Sequence, residues 1–261
     1  GYMIQSQRRE KIKNKLLQDK SVSVSVLAAD LNVSGETIRR DLEALSNEGF
    51  CRKTFGGAIL CNRSTTSIPH TVKKSLFAAE KQQIAKIAVQ AIRPNDCIFM
   101  DNSTTVLALC AEIRDIPLTV VTNSVSVLQE LSGSKNTEII VTGGRLNPAA
   151  LGLFGQETQK FLNTHYFDKA FFSCRGLHLQ QCVFDSNEQA AAMHQALLSR
   201  SAESFLLADH TKFGLCGFTN LTSDFSEIQN LITNRPLDEA WRAALDEAHV
   251  CYRWSVSQPN P

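Results

Sequence analysis

Val33-Ser34-Gly35-Glu36-Thr37-Ile38-Arg39-Arg40-Asp41-Leu42 opens a helix behind a tight break in the chain, and its reading decides what module the N-terminus makes. Asn32-Val33-Ser34-Gly35 interrupts a compact helical piece over 26–31, in which Leu27 and Leu31 share one side. Ser34 stands where its hydroxyl can accept a hydrogen bond from the backbone N–H near Thr37 and cap the next helix. That helix runs from Gly35 or Glu36 to about Asn47, with Ile38, Leu42 and Leu45 on one stripe and Gly49 as its stop. Glu36, Thr37, Arg40 and Glu43 then fall outward, and Arg39 lies at the margin. Two short helices around a tight turn, the second carrying its own apolar stripe, make a helix-turn-helix.

The flanks agree with this. Residues 8–17 read as a helix with Ile12 and Leu16 on one side, and 21–26 alternate Ser and Val, which suits a short extended segment or the lead into a helix. Phe50-Cys51-Arg52-Lys53-Thr54-Phe55-Gly56-Gly57-Ala58 reads as a short hairpin wing ending in a Gly-Gly turn. A recognition helix presents its N-terminal residues to base edges in the major groove, where arginine can grip guanine with two bonds. Ser34, Glu36, Thr37, Arg39 and Arg40 are therefore candidate contacts to double-stranded DNA, with Arg52 and Lys53 of the wing along the backbone or in the minor groove. A helical protein-interaction module with incidental arginines is the alternative. The capped turn, the arginine pair and the basic wing together favour DNA.

Charge points the same way. The net charge of +1 over 261 residues hides a basic head, +6 over residues 1–81, on a body of −5. Such a head expects an anionic partner. The sequence has no apolar run long enough for a membrane span, and the N-terminus is polar and basic, without the apolar core of a secretory signal. Eight scattered cysteines contain no C-x-x-C pair, which favours reduced thiols in the cytoplasm over a disulfide or zinc framework. The expected organisation is a winged helix-turn-helix over 1–60, a polar linker over 61–75 and a larger domain over 76–261.

In that larger domain, a helix expected over 77–92 precedes apolar runs that alternate with helical stretches. Strands are expected at 97–101, 118–122, 138–142, 169–173, 204–208 and 228–232, with 249–256 as an edge strand. This pattern implies an α/β fold with a mostly parallel sheet and helices on both faces. Five of the runs end in Asp101-Asn102-Ser103-Thr104-Thr105, Thr122-Asn123-Ser124, Thr142-Gly143-Gly144-Arg145, Ser173-Cys174-Arg175-Gly176 and Asp209-His210-Thr211-Lys212. The carboxyl ends of parallel strands form the ligand crevice of such folds. Small hydroxyl and glycine residues let backbone N–H groups converge there, so Ser103-Thr104-Thr105 before a helix over 106–113 is a candidate phosphate cradle. Arg145, Arg175 and Lys212 can supply counter-charge. Any one of these turns taken alone is better read as a helix cap. With no P-loop or G-x-G-x-x-G, a nucleotide is not favoured and no cofactor is expected. The six histidines show no metal-ligand spacing, so no metal is expected, and of the six only His210 is expected near the crevice. Asp185 and Glu188 can be read as an acid/base pair or, with less demanded of them, as hydroxyl binders. The rival functions are a sugar-phosphate isomerase carrying a DNA-binding head and an adaptor that binds no DNA.

The stretch from Val33 to Leu42, followed by Gly49 and Gly56-Gly57-Ala58, resembles the DeoR family of bacterial sugar-catabolism repressors. That family reads V-S-x-x-T-I/V-R-R-D-L before a wing ending in H-G-G-A, and Phe55 stands here where histidine is usual. The resemblance continues to about residue 234. Asp101 to Thr105 matches a D-x-G-T/S-T motif, from which Asn102 and Ser103 depart. Thr122-Asn123-Ser124, Gly143-Gly144, Asp185-Ser186-Asn187-Glu188 and Asp209-His210-Thr211-Lys212-Phe213-Gly214 match later elements. The wording around Phe172 to Gly176 and Asp185 to Asn187 resembles that of fuculose-operon repressors. The resemblance implies a sensor domain similar to ribose-5-phosphate isomerase and CoA-transferase folds that binds a phosphorylated sugar. On it, Ser103 to Thr105 and Lys212 hold phosphate, while Asp101, Asp185, Asn187 and Glu188 bind sugar hydroxyls; Asn123, Ser124, Gly143, Gly144 and Gly176 complete the candidate set. It also implies repression, no catalysis, and a homodimer or homotetramer on repeated half-sites.

Overall fold

Ile12, Leu16, Leu27, Ile38, Leu42 and Leu45 are each at most 1% exposed, and the three helices that carry them close a small core of their own. In the computed structural model, which describes residues 4–19, 21–47, 50–60, 70–180, 182–217 and 219–255, this core belongs to the first of two compact units. Its elements are α1 (Gln5–Asp19), β1 (Ser21–Ser23), α2 (Val24–Leu31), α3 (Gly35–Asn47), β2 (Cys51–Thr54), β3 (Gly57–Leu60) and α4 (His70–Ser75). The Ser–Val stretch is both things expected of it, since β1 gives way directly to α2. The strands form an antiparallel sheet in the order β1-β3-β2. Thr54 pairs with Gly57, so Phe55-Gly56 is the tip of the wing. A Cβ on Gly57 would lie 1.8 Å from the Val22 carbonyl oxygen, which explains why the wing crosses β1 on a glycine.

Asn32, at a left-handed φ of 51°, ends α2, and Ser34 caps α3 by accepting from the Thr37 N–H at 3.2 Å. Asp41, fully buried in α3, is a residue the apolar pattern did not single out. Its two carboxylate oxygens take Arg8 Nε at 2.5 Å and Arg9 Nε at 3.0 Å, which fastens α1 to α3.

Of the expected linker over 61–75, residues 61–69 lie outside the described residues. The rest differs from expectation: 70–75 form α4, and Val72, Leu76 and Phe77 pack on the N-terminal core, so the chain divides between Phe77 and Ala78. Apolar side chains at 72, 76 and 77 give this segment a surface to bury, which a linker lacks.

The second unit runs α5 (Ala78–Ala88), β4 (Cys97–Met100), α6 (Thr104–Leu107), α7 (Cys110–Ile113), β5 (Leu118–Thr122), α8 (Val125–Leu131), β6 (Thr137–Val141), β7 (Arg145–Asn147), β8 (Gly152–Phe154), α9 (Gln156–Thr164), β9 (Phe167–Phe172), β10 (Gly176–His178), β11 (Cys182–Asp185), α10 (Glu188–Arg200), β12 (Ser201–Leu207), β13 (Thr219–Asn220), β14 (Asn230–Thr233), α11 (Glu239–Glu247) and β15 (Cys251–Trp254). Seven strands form one sheet in the order β15-β14-β12-β9-β4-β5-β6, with every pairing parallel and β15 at an edge, as the alternating pattern predicts. Two apolar clusters pack against this sheet. The small sheet β10-β11-β13 and the hairpin β7-β8 had no alternating signal long enough to announce them. The single helix expected over 106–113 is two one-turn pieces, because Leu109 N donates to Val106 O three residues back and the α-helical ladder lapses. The strand expected over 228–232 begins at Asn230, behind a 3-10 turn over Phe225–Glu227.

Asp41→Ala leaves two arginines without their buried partner. Loss of such a pair costs about 3 kcal/mol. Thermal unfolding followed by circular dichroism is expected to show the N-terminal unit melting earlier, with the transition of the second unit unmoved.

Candidate functional site

Five charged residues of the N-terminal unit share one surface. Glu36, Arg39, Arg40, Glu43 and Lys53 line a shared shallow concavity between the recognition helix and the wing. Arg39 Nη1 and Arg40 Nε each lie 3.6 Å from a Glu36 carboxylate oxygen, and Lys53 pairs with Glu43. Exposed pairs of this kind contribute about 0–1 kcal/mol, so phosphates can replace them at little cost. Ser34 and Arg52 are exposed and Thr37 is half-buried. All seven nominated residues are therefore on or near the surface, and Arg39 is nearly as open as Arg40. Phe55, at the wing tip, is fully exposed.

In the second unit the crevice follows from strand order. The chain enters at β4, builds outward through β5 and β6, then returns to the other side of β4 with β9, β12, β14 and β15. The reversal lies between β4 and β9, where an open parallel sheet leaves a gap beyond its carboxyl ends. Asp101 follows β4 and is 1% exposed. Its Oδ1 accepts from Ser103 N at 2.8 Å, and its Oδ2 accepts from Ser173 N, behind β9, at 2.9 Å. One carboxylate thus sets the position of both turns that flank the gap.

His194 fastens a third. Projecting from α10 and 3% exposed, it places Nε2 3.2 Å from Asp101 Oδ2 and Nδ1 2.6 Å from Asp185 Oδ2. Burial works against its charge, but Asp185 and Asp101 outweigh that and raise its pKa to about 10. The expectation that His210 alone approached the crevice is corrected by this geometry. His194 lies on the inner stripe of α10 with Ala190, Ala191 and Leu197, a position the search for metal spacing did not test.

The remaining candidates fall into two groups. Ser103, Ser124, Asn187 and Asp209 all act as caps, accepting from Val106 N, Val127 N, Ala190 N and Thr211 N. Thr105 is 2% exposed and Thr104 half-buried beside them. Asn123 Oδ1 is buried with no hydrogen-bond partner among the described residues, while its Nδ2 donates to Leu153 O at 3.1 Å. Asp209 is 2% exposed; burial pushes its carboxyl up, but Lys212 and the bonds from Thr211 outweigh burial and lower it. Asn234, which follows β14 and was not nominated, accepts from His210 N at 2.8 Å and adds a sixth polar turn to this edge.

The second group has packing reasons for its identity. Gly143 and Gly144 sit at φ 73° and 113°, and a Cβ on Gly144 would meet Thr158 Oγ1 at 2.5 Å. Gly176 lets β10 pass Leu215, whose carbonyl oxygen a Cβ would approach to 2.5 Å. Arg145 is exposed on β7, Glu188 and Asn187 are exposed at the start of α10, and Arg175 is half-buried. Burial pushes the Cys174 thiol far up, so it stays protonated among Lys212, Asp185, Asp209 and Asp101.

Residues 8–64 match the DeoR-like helix-turn-helix domain, and residues 77–235 match the DeoR C-terminal sensor domain. The chain belongs to the DeoR family. Two relatives show the range of DeoR-type regulators it resembles. The uncharacterized HTH-type transcriptional regulator YulB of Bacillus subtilis is 34% identical over 248 residues, 95% of this chain and 96% of its own. The L-fucose operon activator of Haemophilus influenzae is 31% identical over 222 residues, 85% and 89% of the two chains. Among solved structures, ribose 5-phosphate isomerase A of Methanocaldococcus jannaschii overlaps with a TM-score of 0.38 at 12% identity, over 51% of this chain and 53% of its own. That overlap is partial. Among the described residues no helix is long and apolar enough to cross a membrane.

An unfolded histidine titrates near pH 6.5. Because folding raises the His194 pKa, the stabilisation is complete below about pH 6.5 and fades as pH climbs towards 10. His194→Gln is expected to lose the part of the decline in sensor-unit melting temperature that wild type shows across this window. Identical pH profiles for the two proteins would show that His194 is not held charged.

Proposed function

We propose that this chain is a cytoplasmic repressor of a carbohydrate-catabolism operon, released from its DNA when a phosphorylated sugar binds at the carboxyl edge of the parallel sheet. Its relatives support regulation as the general role, and the names of some refer to sugar operons. The sugar phosphate rests on one observation: the polar turns behind β4, β5, β9, β12 and β14 share one edge with Lys212. Ser103, Thr104 and Thr105 would supply amides and hydroxyls to the phosphate, with Lys212 as counter-charge. Asp101 and Asp185 already hold backbone amides and His194, so their main contribution is to fix the site, with remaining lone pairs turned to sugar hydroxyls. The same engagement argues against Asp185 as half of an acid/base pair with exposed Glu188, and so against the isomerase reading. A symmetric oligomer on repeated half-sites completes the proposal.

The test begins with an operator selected in vitro from random duplexes and titrated with protein by fluorescence anisotropy. Addition of sugar phosphates one at a time is expected to weaken binding about 5- to 150-fold for the cognate compound, the range of ordinary allosteric coupling. Turnover of a pentose or ketose phosphate by the purified protein would instead revive the enzyme reading.

Two substitutions separate the roles on the DNA face. Arg40→Ala is expected to cost about 1–3 kcal/mol on the operator and much less on random duplex, as a base-reading arginine does. Lys53→Ala is expected to weaken both alike and to reduce the slope of log affinity against log salt by about one. Equal losses for Arg40→Ala on both duplexes would make it a phosphate contact.

A further inference from the structure

The tip of the wing carries a side chain for which the fold supplies no reason. Phe55 is 111% exposed, against 63% for Tyr166, the next most exposed large apolar side chain among the described residues. The turn it stands in is Phe55-Gly56 and not the expected glycine pair, because Gly57 is already taken up in pairing with Thr54 and with Ser23 of β1. Tight turns between strands draw on glycine, asparagine, aspartate, serine and proline, whose backbone freedom or local hydrogen bonds favour the bend. A phenyl ring offers neither. Nothing in the unit covers it, and a Cβ added to Gly56 beside it would meet no atom within 4 Å, so the tip stands clear.

Its neighbours point to the occupant. Arg52 and Lys53 on β2 lead into the turn, and both are exposed. Lys53 lines the same concavity as Arg39 and Arg40 of α3, so the wing and the recognition helix share one surface. Two residues of chain span at most about 7 Å, so Phe55 reaches just beyond whatever phosphate Lys53 holds. An aromatic ring carried past a phosphate contact arrives at a groove, where apolar side chains act by entering between base steps and unstacking them. A protein partner is matched less well. One ring flanked by exposed Thr54 and Gly56 and by cations makes no contiguous apolar patch of the kind that protein interfaces bury.

We propose that Phe55 is a wedge that enters the minor groove beside the recognition helix, leans between two base pairs and kinks the duplex there. This rests on the DNA-binding reading above and adds to it a residue that reads deformability, where Arg40 reads base edges. Parting one base step is the energetic cost of the wedge, and that cost depends on sequence. Pyrimidine–purine steps such as TA and CA part easily, whereas A-tracts are stiff. The operator step under the wing is therefore selected for softness, at a position where no hydrogen bond to a base is made. The mounting suits the task. Gly57, pressed against the Val22 carbonyl, ties the hairpin to β1, and Lys53 is held by Glu43 of α3, so the ring sits on a braced strand pair.

The test uses the full chain and the duplex it selects in vitro. 2-Aminopurine placed at successive positions reports unstacking, and energy transfer between the duplex ends reports bending. With wild type, fluorescence is expected to rise at one step and the duplex to bend, and an A-tract in place of that step is expected to weaken binding about tenfold. Phe55→Ala is expected to lose the unstacking and the bend and to bind the original duplex about tenfold more weakly. The slope of log affinity against log salt stays unchanged, because no charge is removed. The A-tract then costs Phe55→Ala little further, a coupling that loss of a general contact does not produce. Phe55→Leu, apolar and bulky, is expected to retain most of the bend. Unstacking and bending by Phe55→Ala equal to wild type would overturn the inference and leave the recognition-helix reading intact. Equal losses on every duplex together with a lighter species in sedimentation would also overturn it, by placing the ring between copies of the chain. If wild type bound no duplex, both readings would fall.

Discussion

Seven strands that all run the same way must deliver all their carboxyl ends to one edge, and the sensor unit depends on that constraint. Each turn behind β4, β5, β9, β12 and β14 carries a polar residue with a local task, usually capping the helix that follows. Singly these tasks say nothing about a ligand. Together they concentrate backbone amides, hydroxyls and ammoniums where the strand order reverses between β4 and β9. The buried Asp101 carboxylate, bonded to Ser103 N, Ser173 N and His194, keeps that convergence in place.

The two units solve their positioning problems in a similar way. In each, a fully buried aspartate accepts from cationic side chains on a different helix: Asp41 from Arg8 and Arg9, Asp101 and Asp185 from His194. Such pairs add little net stability compared with apolar packing, but removal of one partner is costly. They suit elements that have to hold one orientation, the second helix of the helix-turn-helix in one case and the turns at the carboxyl edge of the sheet in the other.

Much of the fold was legible in the residues. The stripe Ile38, Leu42, Leu45 and the cap at Ser34 announced the recognition helix, and alternating apolar runs announced a parallel sheet with its last strand at an edge. Short antiparallel pieces such as β7-β8 were illegible because three residues are too few to show alternation. The helix expected over 106–113 broke because burial on nearly all sides hides the period that distinguishes one helix from two turns. At the candidate site, the turn motifs named residues that the parallel sheet brings to one edge, but not the buried side chains that fasten them. Asp41 and His194 are charged or polar residues lying on apolar stripes, at positions 41 beside 38 and 42, and 194 beside 190 and 197. A stripe search that asks which polar residues interrupt it, as well as which apolar ones compose it, would have found both. Gly143 at its positive φ, and Gly144 and Gly176 by close backbone approach, have reasons to be glycine that are independent of any ligand.

The most direct test of this account is a crystal structure of the full chain grown or soaked with a sugar phosphate that shifts its melting temperature. The account predicts phosphate density beside the Ser103, Thr104 and Thr105 amides and within hydrogen-bond reach of the Lys212 ammonium, with the sugar extending towards Asp101 and Asp185. Density at the amino-terminal edge of the sheet, or on the DNA-binding unit, with these side chains unmoved, would contradict it.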